Sequence, residues 1–255
     1  MCIRDRAEAL NQNLGSLDVA AMTTQVDAEK AGLIRLADDP AQPLRSEYAT
    51  RRGLKSELWS VNFVNKTKGA FPALNSNFEP QGKLSPEQRQ AVTNILSTKD
   101  QCCGTRGVAG AGKTTLQREV RRGLEEAGHR MIAIAPTASA AKTLRAEGFS
   151  EATTAADFLQ NGASKLNLHG VVVICDEAGL QSNQQGEELL RLAQKHDMRV
   201  IFVGDVRQHV SVEAGDFLRV LETDVYKRQA VAYSSGTRYD LIASKRRNTS
   251  ATHFW

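Results

Sequence analysis

Gly107-Val108-Ala109-Gly110-Ala111-Gly112-Lys113-Thr114 is the stretch on which the reading turns. It fits G-x-x-x-x-G-K-[ST], with a short apolar run over 102–107 before it and a helical pattern over 114–126 after it. A strand, a glycine-rich turn and a helix start in that order aim backbone N–H groups at one point, where they cradle phosphate oxygens. Lys113 neutralises the β and γ oxygens there, and the Thr114 hydroxyl can ligate Mg²⁺. Gly107, Gly110, Ala111, Gly112, Lys113, Thr114 and Thr115 are therefore the candidate nucleotide contacts, and ATP with Mg²⁺ is the implied ligand.

Outward from this point, short apolar runs alternate with helical patterns: 130–135 then 138–147, 171–175 then 184–196, 199–203 then 214–222. Such alternation is the mark of β-α units around a parallel sheet. Runs such as Val171-Val172-Val173-Ile174 carry no polar residue at every second position, which suits strands buried on both faces. The expected fold class is α/β, a P-loop parallel sheet sandwiched by helices. Upstream, Ser85-Pro86-Glu87-Gln88 reads as an N-cap, a Pro at N1 and a Gln at N3, opening a helix with apolar face Ala91, Val92, Ile95 and Leu96. A domain boundary is placed just before it. Residues 1–83 form a polar, uneven, helical or irregular segment, in which Leu54, Leu58 and Val61 stand at helical spacing. Residues 224–255, where the pattern stops, read as a disordered or foreign tail.

Asp176-Glu177 closes the most apolar strand. An isolated pair of this kind also reads as an acidic helix cap, but it follows the phosphate loop by two β-α units. In a phosphoryl-transfer site Asp176 holds Mg²⁺ through water, and Glu177 orients and deprotonates the attacking water. Val203-Gly204-Asp205-Val206-Arg207-Gln208 ends the next strand in the same way, so that Gln208 can sense the γ-phosphate with Asp205 in support. Ala135-Pro136-Thr137-Ala138 ends another, where the Thr137 hydroxyl and a helix N-terminus can hold the phosphate of a passing strand. Each of these last two stretches also reads as an ordinary turn.

Composition agrees with a folded chain: 41% of the 255 residues are apolar and 24% charged. The net charge of +4 is no argument for nucleic acid, because the excess sits in 224–255, with 6 basic against 2 acidic residues. Cys2, Cys102, Cys103 and Cys175 have neither metal-ligand nor disulfide spacing, which suits a reducing compartment. No window holds the ~20 apolar residues of a membrane span, so a cytoplasmic protein is expected.

With four motifs in order, residues 84–223 resemble the first RecA-like domain of a superfamily 1 DNA helicase of the 5′-to-3′ branch. The wording Gly-Val-Ala-Gly-Ala-Gly-Lys-Thr-Thr, Asp-Glu-Ala-Gly-Leu and Gly-Asp-Val-Arg-Gln-His is most similar to the helicase part of conjugative relaxases. The resemblance implies ATP-driven translocation on single-stranded DNA, with Gln88 on the adenine base, Thr137 on the DNA side and Gln208 coupling the γ-phosphate to strand movement. It also implies a second RecA-like domain, which the pattern here does not contain, so the chain is expected to be a fragment with weak turnover of its own. The related reading is a helicase subunit of recombinational repair, and the non-enzymatic one is an ATP-gated DNA-binding module. Relaxase nicking is not expected, since His129, His169, His196, His209 and His253 are scattered without an H-x-H pair. Met1-Cys2-Ile3-Arg4-Asp5-Arg6 and Asp224-Val225-Tyr226-Lys227-Arg228-Gln229 resemble translated sequencing-adapter text, so both ends are expected to be foreign.

Overall fold

A computed structural model describes residues 33–35, 48–81, 84–106, 113–162, 166–204 and 217–222. These fall into two compact units divided between Leu58 and Trp59. In the smaller, β1 (Leu33–Arg35) pairs antiparallel with β2 (Tyr48–Thr50), Leu33 opposite Thr50. Three-residue strands leave too little alternation to be read from sequence, and this pair was not anticipated. Helix α1 (Arg51–Lys66) follows at once, with the Thr50 hydroxyl accepting from Gly53 N–H at 3.0 Å. Its residues from Trp59 onward belong to the larger unit, which thus begins upstream of Ser85. Leu58 is 53% exposed; the residues of α1 that enter a core are Val61, Phe63 and Val64. Ser56, Ser60 and Phe63 are buried, on a side of the helix turned away from the Leu54–Leu58 line.

The larger unit is built on a five-stranded parallel sheet, in the order β3 (Cys102–Arg106), β7 (Arg199–Gly204), β6 (Val172–Cys175), β4 (Met131–Ala135), β5 (Thr153–Thr154). Helix α2 (Pro86–Ser97) leads into β3, helices α3 (Lys113–Glu126), α4 (Ala138–Ala146) and α5 (Asn183–His196) lie between successive strands, and residues 217–222 are helical. Apart from β5 these elements match the sequence pattern to within a residue or two at most ends.

Successive strand residues point to opposite faces, and each face has its own core. Ile132, Ile134, Val173, Val200 and Phe202 pack with Leu189, Leu190 and Ala193 of α5 and with Val61 and Val64. Ala133, Val172, Ile174, Ile201 and Val203 pack with α2, α3 and α4 through Val92, Ile95, Leu116, Val120, Leu124 and Leu144. Both faces being covered is what the unbroken apolar runs required.

The end of the sheet away from these chemistry-bearing loops is closed by a cation. Arg199, 6% exposed, donates to the carbonyls of Pro72, Thr98 and Asp100. These part-buried bonds fix the approach of the chain to β3. At the start of α2, Ser85 Oγ accepts from Gln88 N–H at 3.2 Å while Gln88 Oε1 accepts from Ser85 N–H at 2.9 Å. The N-cap read from the sequence is thus a full capping box, and Ser182 with Gln185 makes a second at the start of α5.

Candidate active site

Parallel pairing brings the carboxyl ends of β3, β7, β6 and β4 to one edge: Arg106 lies opposite Gly204, Cys175 opposite both Phe202 and Ile134. This is the edge at which open α/β sheets hold ligands. Lys113 opens α3, with Thr114 half-buried beside it and Thr115 exposed. Gly107, Gly110, Ala111 and Gly112 lie outside the described residues, as does Gln208 with Asp205.

Asp176 follows β6 directly, and its N–H extends the ladder by donating to Ile134 O at 2.9 Å. Its Oδ1 accepts from Gln117 Nε2 at 2.8 Å. Burial pushes the Asp176 carboxyl above its ordinary value, and the Glu177 charge adds to that; the Gln117 bond, the Glu177 N–H and the Lys113 charge pull the other way. Lys113 and Asp176 therefore sense each other although they arrive on different elements.

Glu177 stands at φ 48, ψ 42, in the left-handed region, where a side chain with a Cβ is costly. The turn it makes is tight: Leu180 N–H donates back to Glu177 O at 2.9 Å and Ala178–Leu180 forms one 3₁₀ turn. The Glu177 side chain is exposed and caps nothing, so it faces solvent beside a partly buried Asp176. Gly204 at the end of β7 is part of the same construction. A Cβ there would stand 3.0 Å from Leu218 Cδ2 and 3.1 Å from the backbone nitrogens of both Ala178 and Gly179, so that hydrogen lets the strand end lie against the turn without pushing it back.

Thr137 is the exposed N-cap of α4, its hydroxyl accepting from Ala140 N–H at 3.2 Å. Two residues past β4, it lies on the same sheet edge as Asp176. Gln88, by contrast, is on α2, with its amide oxygen committed to the capping box. The structure thus assembles Lys113, Thr114, Asp176 and Glu177 at adjacent element ends and puts Thr137 along the same edge.

Gln117 escaped the sequence reading. It sits among Leu116, Val120 and Leu124 on the buried side of α3, 3% exposed, where any helix pattern assigns it to packing. The available signal was its spacing, one turn after Lys113.

The donors offered to a cation, a threonine hydroxyl and a carboxylate, are hard oxygens in small number, which fits Mg²⁺ and its retained waters. A parallel sheet with a Lys-Thr helix start at one strand's end and an Asp-Glu pair at another's defines a P-loop NTPase of the α/β class. The chain belongs to the AAA domain family, whose model matches residues 83–238. It is 28% identical over 191 residues to a conjugal transfer protein TraA of Rhizobium radiobacter, covering 71% of this chain and 17% of that protein. A probable conjugal transfer protein TraA of Sinorhizobium fredii is 30% identical over 150 residues, 58% of this chain and 14% of the relative. The one from Agrobacterium fabrum is 29% identical over 150 residues, with the same shares. The chain thus spans about a sixth or less of the length of these relatives. Among the described residues no helix is long and apolar enough to cross a membrane.

Proposed function

We propose that residues 84–223 are the ATP-hydrolysing motor domain of a cytoplasmic DNA helicase that serves conjugative transfer, moving along single-stranded DNA. The observation that carries the ATPase reading is the convergence of Lys113, Asp176 and Glu177 at one sheet edge, with Asp176 held by Gln117. The relatives' printed names support the place in transfer.

In this reading Lys113 and the Gly107–Gly112 turn hold the triphosphate, with Ala111 and Thr115 adding contacts, and Gln88 reads the base. The Thr114 hydroxyl and, through water, Asp176 would hold Mg²⁺, which would supply positive charge to the phosphates. Glu177, unpaired by any cap and open to solvent, takes the proton of the attacking water. Gln208 relays the state of the γ-phosphate, and Thr137 contacts a DNA phosphate. An arginine from a second RecA-like domain completes the site, a contribution worth about 10³ to 10⁵ in rate for such enzymes.

The test is the ATPase rate with and without single-stranded DNA, beside Lys113→Ala. DNA stimulation that Lys113→Ala abolishes supports the motor reading. Nucleotide binding without DNA-stimulated turnover means that the phosphate site is read correctly but lacks the second domain's arginine, residual turnover that does not depend on Glu177 favours an ATP-gated binding module, and failure to bind nucleotide refutes the site altogether.

A further inference from the structure

We propose that Gln117 is the positioning residue for the metal: it ties α3 to the end of β6, so that Thr114 and Asp176 present their oxygens to Mg²⁺ in one fixed geometry. The inference rests on the ATPase reading above and adds a residue to it.

Three observations converge. Gln117 is 3% exposed on a helix face otherwise lined by leucine and valine. A buried amide in such surroundings is costly unless it is bonded, and a Leu or Met would fill the same space without that cost. The amide is bonded, and its partner is Asp176 Oδ1 at 2.8 Å, 59 residues away in the chain. Finally, Gln117 lies three residues after Thr114, so both sit on one side of the first turns of α3.

A carboxylate rotates readily about its terminal bond, whose energy profile is broad. With Oδ1 pinned by the Gln117 N–H, the plane of the Asp176 carboxylate is set and Oδ2 is left for a metal-bound water. Mg²⁺ demands near-ideal octahedral geometry, so a ligand set free to rotate, or a helix free to slide along the sheet, binds it less well. The Glu177 N–H also bonds this carboxylate and bears on its rotation, but Gln117 alone of the two ties it to α3, because its backbone is α3 and its partner is the sheet. Outer-shell partners of this kind typically govern metal affinity by 10- to 100-fold.

Two variants separate this role from packing. Gln117→Met keeps the volume and loses the donor; Gln117→Asn keeps the amide but cannot reach. Binding of a fluorescent ADP analogue is measured in EDTA and across a Mg²⁺ titration, with thermal melts alongside. In both variants the Mg²⁺ concentration for half-maximal tightening is expected to rise about tenfold or more, while affinity in EDTA stays within about twofold of wild type. In an Asp176→Asn background Gln117→Met should shift the Mg²⁺ midpoint no further, since the partner is already altered. An unchanged Mg²⁺ midpoint in a folded variant overturns the proposal. So does an equal loss of affinity with and without Mg²⁺, which is what general loosening of α3 produces. A wild-type chain that binds no nucleotide refutes the ATPase reading itself, whereas wild-type Mg²⁺ dependence that survives both substitutions refutes only the role of Gln117.

Discussion

Replacing Glu177 by glycine should make the protein more stable and catalytically dead. The residue sits at φ 48, ψ 42 with an exposed side chain that caps nothing, so its Cβ costs energy and its carboxylate repays none in the fold. Left-handed backbone costs an L-residue roughly 1–2 kcal/mol. Glycine escapes that cost but loses about 0.5–1 kcal/mol more in chain entropy on folding. The net gain centres on about 0.7 kcal/mol within a range of about 0–1.5, or about 2 °C in Tm at the centre for a domain of this size. Glu177→Ala retains the Cβ and is the reference: it should melt with the wild type and lose hydrolysis equally, by about 10² to 10⁴ as expected for a general base. Urea titrations read the stability, and single-turnover ATP hydrolysis reads the chemistry. Asp197, at φ 52 after α5, gives the control, since Asp197→Gly should gain a smaller increment without touching hydrolysis. Equal melting of the glycine and alanine variants would show that the turn stores no strain, and a hydrolysing Glu177→Gly would remove this residue from the role of base.

Two further outcomes follow from the same geometry. Asp176→Asn should stabilise the fold at neutral pH, because burial raises the Asp176 carboxyl and so penalises its ionised form. The folded state then binds the proton more tightly than the unfolded one, stability falls as pH rises through that interval, and the advantage of Asn should fade as pH drops toward about 4; melts across pH check it, and a pH-independent difference would contradict the cause. Gly186→Ala should destabilise by about 1–3 kcal/mol although Ala is the better helix former, since its Cβ would stand 2.3–2.5 Å from the ring of Phe217, itself edge-on to Phe202 at 5.5 Å; urea midpoints measure it, and a gain in stability would mean that the ring moves freely.

The sheet was legible because its strands announce themselves twice, as apolar runs and as places where polar motifs stop the runs. Val172-Val173-Ile174-Cys175-Asp176-Glu177 is the plainest instance, with four fully buried strand residues and then two carboxylates. The capping box at Ser85 was equally readable, being local chemistry over four residues. What could not be read depends on contacts distant in the chain. Gln117 looks like a packing residue until Asp176 is placed against it, and Gly204 looks like a turn glycine until Ala178 and Gly179 arrive. Thr153–Thr154 forms a strand only because Ile134 and Ala135 offer an edge. Trp59 and Phe63 could be read as a base-stacking pair or a helix packing face; they stack on each other at 5.4 Å, with Arg191 over the Trp59 ring and Phe63 in the core. Only neighbours from α5 and the sheet favour packing.

The contact at Gly204 has a mechanical meaning. Where two elements touch through side chains, a small displacement of one is absorbed by rotamer changes, and the contact has slack. Here a Cβ on Gly204 would meet the backbone nitrogens of Ala178 and Gly179, in the turn that Glu177 begins, beside the Leu218 side chain. Main chain against main chain has no such freedom. A shift at the end of β7, the strand that leads into Gln208, therefore bears on the turn carrying the proposed base with less slack than a contact made through side chains alone would leave.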